Sequence, residues 1–97
     1  MITATSSGRK TANAQITNRP SLLTALVFDP AATLPATVTI YDGTSNAGTE
    51  LLHLDTVNLT TSEAVVVAFN HPVEAKTGLY AEVSGTGCAY IVHFSLL

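Results

Sequence analysis

The segment Pro35 to Leu54, PATVTIYDGTSNAGTELLHL, limits the folds open to this chain more than any other stretch. Val38 and Ile40 alternate with Thr37, Thr39 and Tyr41, the period-2 pattern of a strand with one buried face. Asp42-Gly43-Thr44-Ser45-Asn46-Ala47-Gly48 follows and is dense in residues that accept tight turns or positive φ. Glu50 to Asp55 then reads as a returning strand. The stretch is a β-hairpin with a wide loop, the local seed of an all-β domain.

The rest of the chain extends that pattern. Leu22 to Phe28 (LLTALVF) is apolar at odd and even positions alike, which predicts a central strand buried on both faces. A helix is the rival reading, but Asp29-Pro30 and Pro35 bound the segment as a loop would. A short helical turn at Pro30 to Thr33 fits there, with Asp29 as N-cap. Val57 to Ser62 reads as a polar connection and Glu63 to Phe69 (EAVVVAF) as the strongest strand. Asn70 to Gly78 reads as a second long connection. Leu79 to Ser84 and Cys88 to Ser95 read as a final hairpin through the turn Ser84-Gly85-Thr86-Gly87. About seven short strands at regular spacing define an all-β chain, a two-sheet antiparallel β-sandwich of jelly-roll-like form.

Met1 to Pro20 differs from this. It is rich in Thr, Ser, Asn and Ala, and it holds three of the four cations. We read it as an extended N-terminal arm (residues 1–20) with a weak strand at Ala12 to Thr17, ahead of a sandwich domain (residues 21–97). Pro20 ends the arm because it cannot donate a ladder hydrogen bond. In an oligomer, such an arm can lie along a neighbouring subunit as an added strand.

Charge bears on function. Only 11% of residues are charged, against about 25% in ordinary globular domains. Thr is the commonest residue, so the surface is polar mainly through neutral hydroxyls, which cost less to desolvate than ions. A net charge of −3 with four Lys plus Arg argues against nucleic-acid binding, which needs clustered cations. No apolar run approaches the length of a membrane helix, and the first residues lack the basic and apolar regions of a signal peptide. The single Cys88 suits a reducing cytoplasm.

No catalytic constellation emerges. His53, His71 and His93 match no metal-ligand spacing, and Cys88 with His93 reads as a small apolar filler beside a strand histidine. Most of the acids sit at expected strand ends and loops, and there is no Gly-x-Ser-x-Gly elbow. Asn58-Leu59-Thr60 is a glycosylation sequon only in form. The expectation is a chain that is not an enzyme and takes no cofactor or metal. Tyr41, Tyr80 and Tyr90 are the whole tyrosine set, thin for a sugar-binding platform.

Two motifs carry a resemblance: VTIYDGTSNAGTELL, and GLYAEVSGTGCAYIVHF after a strand ending Ala-Phe-Asn. Their order resembles that of small virion proteins of tailed bacteriophages, over about Leu22 to Phe94. The resemblance implies a β-sandwich virion component without enzymatic activity, most simply a capsid cement (decoration) protein, commonly a trimer seated on the lattice. Head-fibre and head–tail or tail components are the alternatives, and a carbohydrate-binding adhesin module is another. The expected partners are the major capsid protein, other virion proteins and further copies of the chain, in a virion made in the host cytoplasm. Contacts are expected from the arm, through Ile2, Arg9, Lys10, Ile16 and Arg19, and from the hairpin loop, through Asp42, Thr44, Ser45 and Asn46.

Overall fold

The computed structural model describes residues 4–29, 36–55, 64–85 and 87–97. They form eight strands: β1 (Thr5–Ser6), β2 (Ala14–Thr17), β3 (Ser21–Asp29), β4 (Thr37–Asp42), β5 (Thr49–Asp55), β6 (Val65–Ala75), β7 (Leu79–Ser84) and β8 (Ala89–Leu96). There is no helix among the described residues, and the LLTALVF segment is a strand. The turn expected at Pro30 to Thr33, the connection at Val57 to Ser62, the sequon and Ile2 lie outside the described residues.

The strands build two antiparallel sheets of four, in the orders β1-β8-β3-β6 and β2-β7-β4-β5. This is the expected two-sheet sandwich. Its ladders β1·β8, β2·β7, β3·β6 and β4·β5 nest one inside the next, as if one long hairpin had been rolled up. That path is the jelly roll. Of these four pairs only β4·β5, the hairpin at the start of the argument, joins strands adjacent in sequence.

The expected C-terminal hairpin is corrected here. β7 lies in one sheet and β8 in the other, so the Gly85–Gly87 turn carries the chain across the sandwich. Both glycines have positive φ (130° and 77°), as the sequence suggested, but a turn signal does not name the strand that pairs afterwards. The second long connection is also shorter than expected. β6 continues through Asn70 to Ala75, leaving Lys76 to Gly78 as the link to β7.

The core lies between the sheets. Val38 and Ile40 on β4, Leu79 and Ala81 on β7, Leu23, Leu26 and Phe28 on β3, and Tyr90, Val92 and Phe94 on β8 form one buried cluster. Strand β3 supplies its residues from both parities. Leu23 pairs with Phe94, yet Ala25 pairs with His93, so Thr24 is an extra residue on β3. Its Oγ1 donates to the His93 carbonyl at 2.9 Å. The bulge shifts the alternation by one, which turns Leu26 and Phe28 to the same side as Leu23. The expectation of burial on both faces is corrected accordingly: β3 is central, its inner face is buried, and Leu22, Ala25 and Val27 are half-buried on the outside.

Residues 4–20 contribute β1 and β2, and these strands are parts of the sandwich's own sheets. β1 edges one sheet, β2 edges the other, and residues 7–13 cross between them. The crossing is tied down by Lys10, which exchanges two backbone hydrogen bonds with Tyr90 at 2.9 Å each. The Tyr90 hydroxyl donates to the Ala12 carbonyl at 2.7 Å, and Asn13 Oδ1 accepts from the Val83 amide at 2.8 Å. Burial pushes the Tyr90 phenol up to about 12, with nearby Tyr80 adding to the effect.

Three substitutions check this packing. Leu26→Ala removes a wholly buried side chain and should cost about 2–5 kcal/mol, whereas Val27→Ala, on the outer face, should cost markedly less. Tyr90→Phe should cost about 1 kcal/mol through the lost Ala12 hydrogen bond. Urea unfolding midpoints of the three variants measure both effects.

Candidate functional site

Among the described residues no pocket opens in or on the sandwich. The features open to other molecules are its loops, faces and sheet edges. The loop of the central hairpin comes first, because four of the expected contact residues lie there.

Asp42 ends β4 and turns its carboxylate onto the link between β6 and β7. It accepts from the Lys76 amide at 3.0 Å and the Thr77 amide at 2.9 Å, with the Gly78 amide at 3.5 Å. Partial burial works to raise its pKa. The three amides and the Lys76 charge outweigh that and hold it below the ordinary value of 3.8. Two glycines permit the close approach. A Cβ on Gly48 would run into the Asp42 carbonyl, and one on Gly78 into the Thr17 carbonyl. Asp42 is therefore engaged in closing the fold. Thr44, Ser45 and Asn46 are exposed, and Asn46 donates to Glu82 at 2.9 Å, drawing the loop toward β7.

The expected contact residues of residues 1–20 separate in the same way. Ile16 packs against the core. Lys10 is half-buried beside Tyr90. Arg9 and Arg19 are exposed, and Arg9 lies 3.7 Å from Asp29. An ion pair this exposed is worth about 0–1 kcal/mol. Sequence reasoning missed Gln15, whose Nε2 donates to the carbonyls of Thr17, Gly43 and Leu79 at 2.7, 3.0 and 3.0 Å. This one amide joins β2, β7 and the hairpin loop, a role that composition and period do not signal.

The two outer faces differ in character. On the sheet β2-β7-β4-β5 the face is polar and carries an aromatic pair. Tyr41 and Tyr80 stand directly opposite each other, with Gln15 beyond Tyr80 and Glu50 beyond Tyr41. In the next row Thr39 lies between Glu82 and His53, and its hydroxyl is 2.8 Å from His53 Nδ1. His53 is also 3.7 Å from Glu50. His93 is on the opposite outer face and His71 in the irregular part of β6, so the histidines are dispersed. No cluster of three potential metal ligands forms among the described residues.

On the sheet β1-β8-β3-β6 the middle of the outer face is apolar, with His93 in one row and Glu74 opposite Leu22. Ile91, Val27 and Val66 form one row across β8, β3 and β6, and His93, Ala25 and Ala68 form the next. The first row runs to the sheet edge, where Val66 is 65% exposed.

No family model, curated protein or solved structure matches the chain.

The Asp42 clamp has a pH signature. Its folded pKa is depressed, so its contribution is present above the unfolded value and is lost as pH falls through the lower folded value. Acid should therefore destabilise the wild-type chain more than Asp42→Asn. At neutral pH, Asp42→Ala should cost about 1–2 kcal/mol. Unfolding free energies measured across an acid series compare the three proteins.

Proposed function

We propose that this chain is a structural protein of a tailed-phage virion: a capsid cement (decoration) protein that binds the outer lattice, acts as a homo-oligomer and stabilises the shell by bridging capsomers. One observation carries the reading. The outer face of the sheet β1-β8-β3-β6 presents the apolar row Ile91, Val27 and Val66 up to an edge that no described strand covers. Such a face fits association with protein surfaces, and the neutral, hydroxyl-rich remainder costs little to desolvate. Several weak contacts made at once on neighbouring capsomers add up to firm attachment without a strong individual site. The motifs that resemble small phage virion proteins support the same reading, and the jelly roll is a fold found among viral capsid domains.

The test is co-sedimentation of the purified protein with tailed-phage heads, followed by heating of the decorated and bare heads. Binding in fixed proportion to the capsid subunits, with a raised disruption temperature, is expected. Protein that stays in the supernatant overturns the reading. Labelling at a vertex, tail or fibre in electron micrographs would move it to a head–tail, tail or head-fibre position.

A carbohydrate-binding module is the second reading, and the Tyr41–Tyr80 pair favours it, because paired aromatic faces flanked by Gln15 and Glu50 suit a sugar ring and its hydroxyls. It requires glycan-array signals that Tyr41→Ala and Tyr80→Ala abolish while the fold is retained.

A further inference from the structure

The four sheet edges are not equally protected. β1 has two residues. β2 has four and is irregular at Ile16. β5 carries Glu50, His53 and Asp55 and is irregular at Leu51. Short length, bulges and charge are the usual guards against pairing with another chain. β6 is different. It has eleven residues, and it pairs only with β3 among the described strands. Its second half is guarded: four residues, Phe69 to Pro72, lie opposite Thr24, and Pro72 can donate no hydrogen bond. Its first half is regular from Val65 to Ala68, with no charge, no proline and no bulge.

From this contrast we infer that β6 is a self-pairing edge: two copies of the chain join β6 to β6 about a two-fold axis, making one continuous eight-stranded sheet. The outer main-chain groups of β6 face no strand among the described residues, and an added strand is the occupant that pairs with them in register. A two-fold axis makes that strand antiparallel and brings the same patch from each copy together. The segment is uncharged, so a second copy sets no like charges opposite each other within it.

The pleat narrows the register, because inner residues must pair with inner residues. Placing Val66 opposite its own copy satisfies this. It pairs Val65 with Val67, keeps the contact within the regular half of β6, and covers the exposed Val66. The apolar row then runs unbroken through both subunits, from Ile91, Val27 and Val66 to Val66, Val27 and Ile91 of the second copy.

This pairing specifies the self-association in the proposed function and rests on it, but the two fail separately. Light scattering during gel filtration, over a concentration series, should give a dimer of twice the 10.1 kDa chain mass. Val66→Lys, at an exposed position, should keep the fold by circular dichroism and weaken the dimer by about tenfold or more. Under oxidation Val66→Cys should give a covalent dimer, because cross-axis partners lie within disulfide reach. Ala68→Cys should not, since its copy lies four residues away along the strand, and the native Cys88 is buried. A monomer at all concentrations overturns the pairing, as does a trimer that Val66→Lys leaves intact. The trimer would leave the cement reading standing. Equal cross-linking of the two cysteine variants overturns the register.

Discussion

One extra residue governs how this sandwich closes. Without the Thr24 bulge, strict alternation along β3 would send Leu26 and Phe28 outward while Leu23 pointed in. The core would lose two of its largest members from the strand at the centre of its sheet. The hydroxyl that occupies the bulge donates to the carbonyl of His93, so the irregular step keeps a hydrogen bond it would otherwise forfeit. The same step shapes the other side of the strand, where β6 spends four residues opposite Thr24. Pro72 is tolerated in β6 because it falls in that irregular stretch, on an edge.

With so few charges, the connections between sheets are held by neutral side chains and single carboxylates bonded to backbone. Gln15, Asn13, Asp42 and the Tyr90 hydroxyl each reach from one element to the main chain of another. Backbone groups are obligatory partners wherever water is excluded, so a side chain that satisfies them at a crossover stabilises the topology as well as the local turn. The residues that the sequence placed in an arm are the clearest case. The weak strand read at Ala12 to Thr17 contains β2, and β1 and β2 are the outer strands of the two sheets.

What could be read in advance follows from the range of each signal. Alternation and turn chemistry are local, and they located the β4·β5 hairpin and the all-β class. Pairing is not local. The Gly85–Gly87 turn resembles a hairpin turn in its residues, yet the strands on either side lie in different sheets. The run LLTALVF looked apolar on two faces because it is two inward-facing segments in different phase, and only the partner strands reveal the shift. On the surface, exposure of Thr44, Ser45 and Asn46 agreed with their loop composition. Asp42 shares that composition, but its position at the end of β4 commits it to the amides of Lys76 and Thr77.

The fold itself is silent on function, because jelly rolls carry shells, lectin sites and enzymes alike. What distinguishes this chain is where it leaves polar groups and apolar area unprotected. The face with Tyr41 and Tyr80 is crossed by side-chain hydrogen bonds, from Asn46 to Glu82 and between Thr39 and His53. Anything binding there competes with bonds already made. The opposite face has a row of Ile91, Val27 and Val66 beside one of His93, Ala25 and Ala68, and its β6 edge has no strand partner among the described residues. Burying the row Ile91, Val27 and Val66 releases water from apolar surface, and a strand added along β6 supplies partners to an edge that no described strand covers. The balance of these costs, more than the fold, is what places the proposed self-pairing at β6.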